Sequence, residues 1–331
     1  MPTYAEQKAA FRANGLTKLA AITELPLTFG VEIEAKGNTP AELERKLHAA
    51  GILNVTAQGY NHRDNYDGQW KIVTDATVRG GAEVVSPVLS GPEGIAEIIR
   101  MTDAVKAAGS YADRNCGLHV HFGVRGNSLK VNQRFLALFT RYEQVLDALI
   151  NVDRRGSANG MARATVSDRS ADTVNNKIAN IKAAKNLDEL HRVMGYDRYQ
   201  KINTMAAYSS HGTYEVRMHH GTVDSTEIVQ WVTLLSELWR WAISGLGNAQ
   251  KLKSTKTLKK DVQDFGGRLD WYDSAIYGDF KARIKSMGAA PRAARRRPAR
   301  TVTPADVVTV QGESCPCLDC QINAGNIVVE A

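Results

Sequence analysis

Three short segments constrain this chain more than any other feature. In Phe29-Gly30-Val31-Glu32-Ile33-Glu34, in Leu118-His119-Val120-His121-Phe122 and in Thr213-Tyr214-Glu215-Val216-Arg217-Met218-His219, polar or charged residues alternate with apolar ones. Successive side chains on a β-strand point to opposite faces, so each segment, as a strand, carries its ionisable groups on one face and its apolar groups on the other. Glu32 and Glu34, His119 and His121, and Glu215, Arg217 and His219 would then share faces. This suits a sheet packed on helices on one side and lining a charged cleft on the other.

The pattern elsewhere predicts an α+β order, strand clusters interrupted by helices. Tyr4 to Leu19 reads as a short helix. Thr39 caps a second, with Pro40 at its first position and Leu43 and Leu47 buried. Trp70 to Thr74 and Ala82 to Ser86 read as strands joined through Asp75, Gly80 and Gly81. Gly94 to Ala108 reads as a helix, Leu118 to Val124 as a strand, and Asn132 to Ile150 as an amphipathic helix. Asp153 to Ser170, polar and almost without core residues, reads as a mobile loop over a site. Strands resume at Lys201 to Ala207 and Thr213 to His219, and Ser225 N-caps a helix to about Ser244. After Gly288 the composition changes to a basic stretch rich in Pro and Ala, Pro291 to Arg300, followed by a tail. Two units are expected, 1–288 and 289–331.

Composition narrows the class. Of 331 residues 43% are apolar and 23% charged, enough for a large core. Five arginines between Arg292 and Arg300 account for most of the net charge of +7, so the body is nearly neutral. No apolar run is long enough for a membrane span and no secretory leader is visible, so a cytoplasmic protein is expected. Three of the four cysteines, Cys315, Cys317 and Cys320, cluster in the tail, unlike an extracellular disulfide framework.

The candidate chemistry admits two readings at each place. Glu32 and Glu34 serve either as a solvent-facing strand surface or as oxygen ligands of a divalent cation that offsets their repulsion. Asp75 and Glu83 lie across the expected hairpin as a second acidic pair. His119 and His121 share a face, which allows one to bind metal and the other to donate to a phosphate. Glu215 and Arg217 form either a cross-strand ion-pair ladder or a metal ligand beside a phosphate-binding guanidinium. Cys116 lacks a thiolate-stabilising context and reads as a small buried neighbour.

Together, Phe29 to Glu34, Trp70 with Asp75, Gly81 to Pro87, Cys116 to His121, and Glu215 to Arg217 with Gly221-Thr222 resemble the amidoligase family, which is related to glutamine synthetase and glutamate-cysteine ligase. The resemblance spans Leu27 to Trp241. It implies a glutamine-synthetase-like, mostly antiparallel curved sheet and an ATP-dependent carboxylate-amine ligase acting through an acyl phosphate. It further implies Mg2+, with Mn2+ as a substitute, held by Glu32, Glu34, Asp75, Glu83, His119 and Glu215. His121 would lie near the nucleotide and Arg217 on the phosphate, with small-molecule or peptide amines and carboxylates as partners.

Other readings compete. A guanidino phosphotransferase would share the fold. A metal-dependent hydrolase would use His119 and His121, although Glu32 and Glu34 occupy the first strand where such a pair usually sits. A nucleic-acid-binding module would rest on the Arg-rich stretch, which lacks interleaved aromatics and reads more simply as a solvated linker. The tail cysteines supply three soft ligands, one short of a closed Zn2+ site, and a zinc knuckle, a redox-active thiol group and a disordered tail stand as comparable readings. Substrate contacts are expected from Asn61 to Gly68 and from Asp153 to Ser170.

Overall fold

The structure, a computed structural model, describes residues 27–59, 68–167, 170–245, 257–272 and 274–286. The expected opening helix, residues 61–67 of the first substrate loop, the boundary at 288, the Arg-rich stretch and Cys315, Cys317 and Cys320 lie outside the described residues.

Strands β1 (Phe29–Lys36), β2 (Val55–Ala57), β3 (Trp70–Val73), β4 (Gly81–Val85), β5 (Gly117–Gly123), β6 (Ile202–Asn203) and β7 (Thr213–His220) form one open sheet in the order β2-β3-β4-β1-β5-β7-β6. Only β2 and β3 run parallel. The three alternating segments are β1, β5 and β7, side by side at the centre. Both edges are short, β2 with three residues and β6 with two, which leaves little exposed backbone to pair with another chain.

The helices among the described residues are α1 (Pro40–Ala49), α2 (Gly91–Ala107), α3 (Leu129–Asp147), α4 (Ala171–Ala183), α5 (Leu187–Met194), α6 (Ser225–Ser244), α7 (Leu258–Tyr272) and α8 (Ser274–Ser286). None is long and apolar enough to cross a membrane. Thr39 caps α1 as expected, within a reciprocal capping box: Thr39 Oγ1 accepts from the Glu42 amide, and the Glu42 carboxylate accepts from the Thr39 amide at 2.8 Å. The cap of α6 is Asp224 rather than Ser225. Its carboxylate accepts from the Glu227 amide at 3.1 Å and complements the positive helix end, which a hydroxyl one residue later does not do. The expected strand from Lys201 to Ala207 stops after Asn203, because the Asn203 side chain accepts from the Met205 amide at 2.9 Å and starts a 3-10 turn.

The apolar face of the sheet packs where the alternation places it. Phe122 and Tyr214 meet the Trp239 ring of α6 at 6.2 and 6.1 Å, and Trp239 stacks on Phe135 of α3 at 3.7 Å with the planes 6° apart. Fully burying a side chain of this size contributes roughly 1.5–3 kcal/mol. α2 approaches β1 closely at Gly94, where a β-carbon would stand 2.9 Å from Phe29 Cζ.

Candidate functional site

The opposite face gathers the ionisable groups. On β1 and β4, Glu34 sits directly across from Glu83, and on β1 and β5 Glu32 sits across from His119. On β5 and β7, His121 faces Glu215, whose other neighbour is Asn203 of β6. Sheet pairing thus brings residues far apart in sequence to one cluster. Glu32 Oε2 accepts from His119 Nδ1 at 2.9 Å and Glu32 Oε1 lies 3.2 Å from His121 Nε2. Glu215 Oε1 lies 3.5 Å from His119 Nδ1, and Glu34 Oε1 3.7 Å from His119 Nε2. Arg217 pairs with Glu215, and Asn203 Nδ2 donates to Glu215 Oε2 at 2.8 Å. His121 Nδ1 lies 3.0 Å from Thr213 Oγ1.

Charge is unevenly balanced here. Burial, and then the carboxylates of Glu32 and Glu34, raise the Glu83 pKa well above the usual carboxylate range. Burial works the same way on Glu32 and Glu215, but the histidines and, for Glu215, Arg217 outweigh it and hold both below that range. His121, although buried, is raised by Glu32 and Glu215. Glu83 is thus the carboxylate of the cluster whose charge its surroundings favour least. Two triads, Glu32-His119-Glu215 and Glu34-Glu83-His119, each bring ligand atoms within 4.8 Å of one another. Carboxylate oxygens with one imidazole form a donor set suited to Mg2+ or Mn2+. Asp75 stands apart from both triads. It accepts from the Thr77 amide at 2.6 Å, fixing the turn after β3, and adds to the field that raises Glu83.

His219 does not join this face. Between Leu118 and Val120 the β5–β7 register shifts, so that His119 alone opposes both Arg217 and Met218. A bulge of this kind adds one residue to one strand and reverses the alternation beyond it. His219 consequently pairs with Leu118 and lies against the α6 side, its ring 4.8 Å from Trp231. There it forms a third cluster with His220 and Glu227. Arg283 of α8 already pairs with Glu227, and His220 Nε2 lies 3.0 Å from the same carboxylate. Although burial opposes it, the His220 hydrogen bond and the histidine charges hold the Glu227 pKa at about 2. The protein itself supplies this carboxylate with its counter-charge.

The stretch expected to be a mobile loop is held to the body by hydrogen bonds within its described residues. Asp147 accepts from the Gly156 amide at 2.8 Å and pairs with the buried Lys201. The Thr165 amide donates to Glu143 at 3.0 Å, and the Lys201 amide donates to the Arg163 carbonyl at 2.8 Å. The loop carries two groups to the site: the Met161 carbonyl, which accepts from Arg217 Nε at 3.4 Å, and the buried Arg154. Asn203 escaped the sequence reading because it does not lie on an alternating segment, whereas Arg154 falls within the Asp153 to Ser170 stretch expected to contact substrate but is not singled out there by any local pattern. Cys116 is fully buried, and burial pushes its thiol up to about 11, against a nucleophilic role.

From Glu32, Glu83 and His121 a cavity of about 360 Å³ runs past Gly30 and Lys71 to Arg125 and His211. It is large enough for a small organic molecule and is lined by both carboxylate and cationic side chains.

Residues 25–239 match the profile of a family described as "Putative amidoligase enzyme". No curated protein matches the chain. Among solved structures the chain is similar to a bifunctional glutathione synthetase from Pasteurella multocida, with 11% identity and a TM-score of 0.35 over 84% of this chain and 48% of that one. The chain thus spans about half the length of that protein, and so distant a likeness carries no argument about chemistry.

Proposed function

Because the chain belongs to the amidoligase family, a family of ligase-type enzymes, we propose that it joins a carboxylate to an amine at the expense of ATP, through an acyl phosphate and on a glutamine-synthetase-like sheet. The observation that carries this reading is the central cluster: four glutamates and two histidines, drawn from four strands, converge on one face, where burial and the neighbouring carboxylates disfavour the charge of Glu83.

In this reading Glu32, Glu34, Glu83, His119 and Glu215 hold Mg2+, with Asp75 adding to the local negative field. When bound, the ion would offset charge on the β- and γ-phosphates. Glu32 is hydrogen-bonded to His119 and its other oxygen lies 3.2 Å from His121 Nε2, which orients the His119 imidazole, and Asn203 orients Glu215. His121, which lines the cavity, would donate to a nucleotide oxygen. An oxygen of the acid substrate attacks the γ-phosphorus and ADP leaves with the electrons of the broken bond. The amine nitrogen then attacks the acyl carbon, inorganic phosphate departs, and the amine loses a proton. Arg217 offsets the charge that gathers on the phosphoryl oxygens in the first step.

A screen of amino acids, polyamines and peptides as paired acid and amine, with Mg2+ and ATP, tests the reading. One pair is expected to yield ADP, phosphate and a product whose mass is that of both partners less water. A phosphorylated guanidino product without amide would replace the ligase reading by a phosphotransferase. Product formation without any ATP would replace it by a hydrolase-type enzyme run in reverse.

A further inference from the structure

The chain between α3 and α4 reaches the sheet with a guanidinium. Arg154 ends the 3-10 turn Val152–Arg154 and is 4% exposed. One Nη donates to the Cys116 carbonyl at the start of β5. Both Nη atoms lie 3.4 Å from the point where a β-carbon on Gly117 would stand, and His119 Nε2 lies 3.1 Å from that same point. Gly117 follows the alternation of His119 and His121 onto the site face, and its missing side chain leaves the space that the imidazole and the guanidinium share. Arg154 also lies within electrostatic reach of Glu34 and of Arg217. Its Nε is buried and has no hydrogen-bond partner among the described residues.

A buried N–H on a permanently charged group is costly to leave unpaired, and its natural partner is an anion. The surroundings specify which kind. Two guanidinium groups, Arg154 and Arg217, lie within electrostatic reach of each other, and Arg217 disfavours the charge of Arg154. A carboxylate offers two oxygens, whereas a phosphoryl group has three outer oxygens and can accept from both guanidiniums at once.

We propose that Arg154 is a second arginine on the transferring phosphoryl group, its Nε–H donating to a non-bridging oxygen while Arg217 serves another. The assignment rests on the ATP-dependent reading above. In the step it serves, the acid's oxygen forms a bond to the γ-phosphorus, the bond to the ADP oxygen breaks, and Arg154 keeps its proton throughout.

Arg154→Lys retains a charge beside Glu34 and a donor for the Cys116 carbonyl but lacks the Nε fork. Wild type and variant, as the full chain, would be titrated calorimetrically with Mg2+ and AMP-PNP, with Mg2+ and ADP, and with inorganic phosphate. The variant should bind AMP-PNP and phosphate about tenfold or more weakly and ADP within about twofold of wild type. Equal losses for ADP and AMP-PNP would move Arg154 to the other phosphates and overturn the assignment. Unchanged affinities with a lowered melting temperature would make it a clamp on the Cys116 carbonyl and overturn the assignment as well. If wild type binds AMP-PNP and the variant binds it equally, the Arg154 assignment alone fails; if wild type binds no Mg2+-nucleotide, the ATP-dependent reading fails and takes the assignment with it. Should Arg154→Lys not fold, a crystal structure of wild type with Mg2+ and AMP-PNP decides. A γ-phosphoryl oxygen within hydrogen-bond distance of Nε supports the proposal, and Nε facing no phosphoryl oxygen overturns it.

Discussion

Arg217 stands between two roles, since it pairs with Glu215 and also donates to the Met161 carbonyl of the loop above it. A purely structural ion pair would tolerate another cation there. The phosphoryl role requires the planar fork, because the contact strengthens as charge develops on the oxygens. Arg217→Lys is therefore expected to slow turnover by roughly 100- to 1,000-fold while leaving Mg2+-nucleotide affinity largely intact. Pre-steady-state ADP release would measure the first and calorimetry the second. A variant at the wild-type rate, or one that unfolds, would return Arg217 to the ion-pair account. Glu83 illustrates the same scale from the opposite side. A glutamate on a short strand is ordinary in a sequence, and only the fold supplies the burial and the neighbouring Glu32 and Glu34 that raise its pKa.

At the level of elements, the bulge in β7 decides which residues reach the site. One extra residue sends Glu215 and Arg217 to the charged face and His219 to the helices, so a single strand serves two clusters. The second cluster ties α8 to the body through Arg283 and Glu227, with the Arg283 Nε donating to the Leu149 carbonyl at 2.9 Å. Within it, burial and the neighbouring His220 push the His219 pKa down to about 3, against the pull of Glu227. An unfolded chain would protonate this histidine near pH ~6.5, while the folded protein resists until far lower pH. Its contribution to stability is therefore complete above about pH 6.5 and is lost as the pH falls below that value. Between roughly pH 7.5 and pH 5 the loss should be on the order of 2 kcal/mol, seen as a falling urea midpoint. His219→Gln should flatten that slope even if it lowers stability at neutral pH. A slope that persists in the variant would place the acid sensitivity at other groups.

For the molecule as a whole, the two faces of the sheet divide the labour: one builds the core around Trp239, the other collects charge. Phe280 of α8 packs on Phe265 of α7 at 5.3 Å, so the described core extends to the last described helix. A chain cut after residue 288 keeps Phe280 and Arg283 and is expected to melt cooperatively and to consume ATP at an undiminished rate. Folded but inactive truncated protein, in a melting and ADP-release assay, would bring the tail into the active site. The sequence alone determined which residues alternate, hence that β1 and β5 have one apolar and one charged face, because a strand's period of two is a local property of its backbone. Family resemblance and alternation together also singled out Glu32, Glu34, Glu83, His119, His121, Glu215 and Arg217 before any pairing was known. Tertiary structure alone decided the β5–β7 register, which moved His219 away, and the anchoring of the loop that delivers Arg154. Register and loop closure depend on partners tens of residues distant in the chain, whose packing no local period encodes.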